Sequence, residues 1–153
     1  MGLLRVWYFA YGSNLDQEGM RRRVGGWHDL KPAKLKGFRL VFDIYSSSWR
    51  GGVADVVEDE AGVVYGAAYL LDEEQLEKLD KYEGVPHLYH RRKVVVEVES
   101  TPLEAFIYVG SSPRPSVKPS TEYVALMIKG LKRIGHGEEA IKAVREAAEA
   151  RPW

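Results

Sequence analysis

Before residue 111 the chain is mostly runs of β-branched and aromatic residues broken by Gly, Ser, Asn and Pro; sustained helical spacing dominates after Ser120. This segregation argues against a regular alternation of strands and helices around a parallel sheet. It predicts an α+β fold with a twisted or closed sheet. At 153 residues the chain suits one domain, residues 1–153, with a sizeable core. No internal repeat or low-complexity segment divides it.

Local signals place the elements. Arg5 to Ala10 (RVWYFA) reads as a strand, broken at once by Gly12-Ser13-Asn14. A short helix is expected from Leu15 to Arg23, ended by Gly25-Gly26. Phe38 to Ile44 predicts a strand closed by Ser46-Ser47-Ser48. After Gly51-Gly52 comes the apolar run Val53 to Val57, and Glu58 to Gly62 reads as a hairpin turn into a strand from Val63 to Leu71. Gly66 in that strand marks a bulge or a close backbone approach. Lys93 to Glu99 and Glu104 to Tyr108 read as strands joined at Ser100 to Pro102. Ser111 to Ser120, with Pro113, Pro115 and Pro119, is a linker. Helices are expected from Ser120 to about Ile134 and from Gly137 to Ala150.

The helix beginning at Asp72 carries the sharpest signature. Asp72 suits the cap, Gln75 the reciprocal capping position, and Leu71 with Leu76 a hydrophobic staple. Leu76 and Leu79 share one face, and Glu83 falls four residues beyond Leu79. This carboxylate therefore projects on the buried side, and Gly84-Val85-Pro86 end the helix.

Composition removes several functions. Without cysteine there are no disulfides, no thiol catalysis and no thiolate metal sites. A formal net charge of zero gives no global field to attract nucleic acid or acidic membrane. The basic runs Arg21-Arg22-Arg23 and Arg91-Arg92-Lys93 read as solvated faces beside acidic neighbours. Met1 to Val6 is too short and polar for a signal peptide, and no apolar run reaches membrane-spanning length, so a cytoplasmic protein is expected. His87 and His90 form H-x-x-H without a third ligand of clear spacing, so no metal is expected. Few amides and abundant Glu, Lys and Arg resemble heat-adapted proteins, and Asn14 is the sole asparagine.

Two features carry chemistry. A strand ending in Gly-Ser-Asn ahead of a helix turns several backbone N–H groups to one side, where they suit a carboxylate or a polarised carbonyl. Such a turn also arises for purely structural reasons. It is neither a nucleophile elbow, lacking the second Gly of G-x-S-x-G, nor a P-loop, lacking Gly-Lys-Ser/Thr. Glu83 is the second feature. Burial raises a carboxyl pKa towards the range of general acid–base work, although a buried Glu satisfied by Arg or Tyr fits the same pattern. Many of the tyrosines suit the core, and several are expected to deliver hydroxyls to a shared pocket.

Taken in order, these segments resemble the γ-glutamylcyclotransferase family. Tyr8-Phe9-Ala10-Tyr11-Gly12-Ser13-Asn14-Leu15 looks like its substrate loop, and Trp49-Arg50-Gly51-Gly52-Val53-Ala54 like its Gly-Gly strand. Val64-Tyr65-Gly66 with Leu71 to Glu83 resembles the strand and helix leading to its catalytic glutamate. Pro119-Ser120-x-x-Tyr123 resembles the segment adding a substrate-contacting tyrosine. The resemblance spans about residues 6 to 135 and leaves the last helix without a role. It implies a small mixed β-barrel flanked by helices and a cofactor-free release of 5-oxoproline from a γ-glutamyl amino acid, γ-glutamylamine or glutathione. Glu83 would be catalytic, and Tyr8, Phe9, Ala10, Tyr11, Gly12, Ser13, Asn14 and Tyr123 would bind substrate. A homodimer is plausible by the same analogy. The competing expectation is a non-catalytic binding module on the same fold.

Overall fold

The computed structural model describes residues 4–111 and 115–150. Met1 to Leu3 of the amino-terminal stretch and Pro113 of the expected linker lie outside them. Among the described residues there are five strands, four helices and one 3-10 turn. Strands β1 (Arg5–Ala10), β2 (Asp29–Ser46), β3 (Gly51–Asp72), β4 (Tyr89–Val98) and β5 (Thr101–Gly110) form one sheet. It curls on itself in the order β1-β3-β2-β4-β5. Every pairing is antiparallel except β1 with β5. That parallel seam rests on Tyr8 opposite Phe106, and the β2/β4 seam on Lys34 opposite Glu97. The result is the expected α+β architecture, a small mixed barrel closed by two narrow seams and flanked by helices α1 (Gln17–Val24), α2 (Glu73–Glu83), α3 (Thr121–Arg133) and α4 (Glu138–Glu149). No helix among the described residues is long and apolar enough to cross a membrane.

The long β2/β3 ribbon corrects two expectations. Glu58 to Gly62 is not a hairpin turn: β3 continues past it beside β2. The register jumps from Lys36 opposite Val63 to Phe38 opposite Glu58, so extra residues of β3 face Gly37 in a bulge. Gly37 takes a positive φ of 86°, which a side chain would resist. Asp59 folds the bulge locally by accepting the Ala61 amide at 3.0 Å. The strand expected at Phe38 also begins much earlier, at Asp29, because Ala33 and Leu35 point inward between exposed lysines. Pro32 and those lysines mask the period-two pattern in the sequence. Between β4 and β5 the turn sits one residue earlier than expected, with Glu99 and Ser100 both at positive φ.

Three devices fix the surroundings of the Gly12-Ser13-Asn14 turn. First, α2 is capped as predicted: the Asp72 amide donates to Gln75 Oε1 at 2.9 Å. Gln75 Nε2 then donates to the Val24 and Gly26 carbonyls at 2.9 and 2.8 Å, tying the end of α1 to the start of α2. Second, the chain from Val117 runs along the ribbon, with Val117 N donating to Phe42 O and Gly52 N to Lys118 O. A Cβ on Gly52 would overlap the Val117 carbonyl, which explains the small residue there. That course delivers Ser120, whose hydroxyl accepts the Tyr123 amide and caps α3. Third, Gly130 of α3 packs against the Leu15 backbone so closely that any side chain would collide.

Candidate active site

Glu83, the last residue of α2, borders a cavity of about 360 Å3. Gly84 takes a left-handed φ of 70° and ends the helix, donating its amide to the Lys81 carbonyl at 3.3 Å. Leu76 and Leu79, on the same face, are buried beneath it. Around the carboxylate stand Tyr8 from β1, Tyr11 to Asn14 from the turn, Tyr89 from β4, Tyr108 from β5 and Tyr123 from α3. The chain from Ile44 to Trp49, together with Leu88, forms the outer wall.

Asn14 is the hub. It is 2% exposed, and its side-chain nitrogen donates to the Tyr8 hydroxyl at 2.8 Å and to Glu83 Oε1 at 3.0 Å. Its side-chain oxygen accepts Arg23 Nη1 at 2.6 Å, and its backbone carbonyl accepts the Tyr69 hydroxyl at 2.8 Å. Within the turn, the Leu15 and Asp16 amides donate to the Gly12 and Ser13 carbonyls at 3.0 and 3.1 Å, and the Ser13 backbone bonds to the Tyr123 hydroxyl. Gly12 must lack a side chain here, since a Cβ would sit 2.8 Å from the Tyr123 hydroxyl oxygen.

The hydroxyls divide into two kinds. Tyr11 donates to the Tyr108 carbonyl, Tyr89 to the Ala54 carbonyl at 2.7 Å and Tyr108 to Asp80 Oδ1 at 2.7 Å. Tyr8 and Tyr123 instead accept, Tyr8 from Asn14 and Tyr123 from the Ala54 amide at 3.0 Å. Among the described residues neither of these two has an acceptor for its own proton. Burial holds the pKa of each of these five phenols above its ordinary value, so they stay protonated at neutral pH.

Burial also pushes the Glu83 carboxyl up, to about 7, against the opposing effects of the Arg23 charge and the Asn14 hydrogen bond. A carboxyl titrating there can both accept and release a proton near neutral pH. The cavity thus joins one carboxyl that titrates near neutral pH, two phenols whose protons have no acceptor among the described residues, and the backbone of the Gly12-Ser13-Asn14 turn.

This constellation lies within residues 8–125, over which the chain matches the family described as gamma-glutamyl cyclotransferase, AIG2-like. The chain belongs to that family. It is 31% identical to the γ-glutamylcyclotransferase of Bos taurus over 133 residues, covering 84% of this chain and 71% of the bovine protein. The Homo sapiens γ-glutamylcyclotransferase is 30% identical over 149 residues, covering 90% and 77%. A solved γ-glutamyl cyclotransferase superposes with a TM-score of 0.85 at 27% identity, over 93% of this chain and 87% of that one.

In this family member not every residue of the expected loop reaches the cavity. Phe9 and Ala10 are fully buried and do not line it; Phe9 packs its ring beside Gly66, and the Ala10 carbonyl meets Gly66 from the other strand. Gly66 is thus a close backbone approach, with no register break at Ala33 opposite Gly66. The Tyr11 hydroxyl proton is committed to the backbone. Contrary to the solvated face expected for Arg21-Arg22-Arg23, Arg23 turns inward to Asn14, while Arg21 and Arg22 stay exposed. The second run does face acids, with Arg91 on Asp80, Arg92 on Glu58 and Lys93 on Glu104. His87 and His90 are exposed and outside the cavity, and no metal-holding cluster of three His, Asp or Glu occurs among the described residues.

Proposed function

We propose that this chain cyclises a γ-glutamyl compound to 5-oxoproline and releases the amine, with Glu83 carrying the proton. The observation behind it is the Glu83 carboxyl, raised to about 7 and held by Asn14 among phenol and amide donors. The substrate's α-amine attacks its own γ-carbonyl carbon, forming the ring C–N bond. Glu83 accepts the proton that the amine loses. As the tetrahedral intermediate collapses, the exocyclic C–N bond breaks, and Glu83 returns that proton to the leaving amine. No water is consumed. Backbone amides of Gly12, Ser13 and Asn14, with the Tyr8 and Tyr123 hydroxyls, would hold the α-carboxylate and the developing oxyanion. One such oxyanion donor contributes about 3 kcal/mol. Holding the glutamyl chain folded for ring closure supplies a further large factor.

The leaving amine would face the mouth. Tyr45, Tyr82 and Leu88 are large side chains left 60%, 46% and 38% exposed, and all three border this cavity. Ser46 to Ser48 line the same wall, and the three large side chains beside them favour an apolar leaving group over a charged one. Partial burial of a leucine side chain is worth about 1.5 kcal/mol, roughly tenfold in kcat/KM. The test compares γ-glutamyl-leucine with γ-glutamyl-alanine, γ-glutamyl-lysine and glutathione, measuring 5-oxoproline. γ-Glutamyl-leucine is expected to be turned over about tenfold more efficiently than γ-glutamyl-lysine. A preference for the lysine compound would remove the rim from the substrate site.

A further inference from the structure

We propose that Arg23 is the positioning residue of this site, holding the Asn14 carboxamide by its oxygen so that the nitrogen is aimed at Glu83. The inference rests on Glu83 as the proton carrier. An amide side chain can usually flip, exchanging oxygen and nitrogen at little cost. Guanidinium has only donors, so the atom of Asn14 that faces Arg23 Nη1 at 2.6 Å must be the oxygen. Both N–H groups of the amide are then directed away from Arg23, one to Tyr8 and one to Glu83 Oε1. Without Arg23, the reverse orientation would set the Asn14 oxygen against a carboxylate.

Local packing is arranged for this contact. Gly19 stands one helical turn before Arg23, and a Cβ there would lie 3.1 Å from Arg23 Nη1 and 3.3 Å from its Cζ. Glycine inside a helix costs about 1 kcal/mol relative to Ala, and here it gives the guanidinium room to fold back across α1. On its other side, Arg23 stacks on the Tyr82 ring at 4.1 Å, the residue next to Glu83. Arg23 therefore grips the turn and the end of α2 together.

Arg23 also acts on the carboxylate by charge. Facing Glu83 are Tyr8 and Tyr11 of the first strand and its exit, Asn14 of the turn, Tyr82 of its own helix, Tyr89 and Tyr108 of the sheet, and Tyr123 of α3. Tyr8, Tyr11, Tyr89, Tyr108 and Tyr123 remain neutral, so among the described residues the cation opposing desolvation of Glu83 is Arg23.

The experiment titrates the Glu83 carboxyl by carbon NMR in protein carrying carboxyl-labelled glutamate, with the signal assigned by its loss in Glu83→Gln. It is paired with the pH profile of 5-oxoproline formation. In Arg23→Gln the midpoint is expected to rise above that of the unsubstituted protein. kcat/KM should fall about tenfold at pH 7, and the deficit should close as pH approaches 9. Arg23→Met keeps the stem's packing across Gly19 and should give the same shift if the Gln variant folds poorly. Arg23→Lys, which restores charge without the planar fork, should bring the midpoint back towards its original value. An unchanged midpoint in Arg23→Gln and Arg23→Met, or a loss of activity equal at every pH, overturns the proposal. A shifted midpoint in a protein that forms no 5-oxoproline from any γ-glutamyl compound upholds the positioning role and refutes the cyclotransferase reading.

Discussion

Glu83→Gln is expected to lower kcat for 5-oxoproline formation by about a thousandfold, with KM little changed. Glutamine keeps the shape of the side chain, and its Oε1 can still accept Asn14 Nδ2, so the cavity should survive. What it lacks is the ability to take a proton from the substrate amine and return it to the leaving one. Positioned acid–base groups contribute about a hundredfold to ten-thousandfold, and the remaining donors would sustain a residual rate. Steady-state kinetics with one γ-glutamyl substrate decides the matter. A loss confined to KM would make Glu83 a binding group, and full activity would remove it from the chemistry.

The same substitution should make the protein more stable at alkaline pH. Glu83 is raised in the folded state to about 7 from an ordinary value of 4.5. The sign follows from proton counting. Below pH 4.5 the group is neutral in both states and costs nothing. Between 4.5 and 7 the unfolded chain has released its proton while the folded protein keeps it, so stability falls as pH rises. Above 7 the folded protein carries the full cost of a desolvated carboxylate. A shift of this size corresponds to about 3 kcal/mol, reduced to about 2 kcal/mol because the carboxyl borders a solvated cavity. Glu83→Gln escapes that cost. Its Tm at pH 8 should exceed that of the unsubstituted protein by about 4–8 °C, and the gap should close as pH falls through 7 towards 4.5. Thermal melts across this range check the claim; a gap that widens on acidification contradicts it. Such an exchange of stability for function is common where a site needs a strained charge.

Elements with complete local signals were legible in the sequence. β1 and α2 need little beyond their own residues: aromatic and β-branched runs for one, a capping box, a staple and Gly84 for the other. The ribbon was harder because its signals conflict. Pro32 and three lysines hide the inward pair Ala33 and Leu35, and Glu58 to Gly62 has turn composition but lies in a bulge that the partner strand keeps in line. Within the site, Glu83 was placed on the buried face by spacing alone. Phe9 and Ala10 were carried along by their neighbours in the loop, although alternation along a strand turns Phe9 away from Tyr8. Arg23 was missed because its role depends on where α1 lies relative to Asn14, which is tertiary information. The one local trace was Gly19, a glycine inside a helix four residues earlier.

Mixing the purified protein with γ-glutamyl-alanine and following both products tests the central claim most directly. The account predicts 5-oxoproline and free alanine in equal amounts, with no free glutamate, and about a thousandfold slower release by Glu83→Gln. Binding without release of either product would contradict it, as would glutamate in place of 5-oxoproline, because water rather than the substrate's own amine would then be the nucleophile.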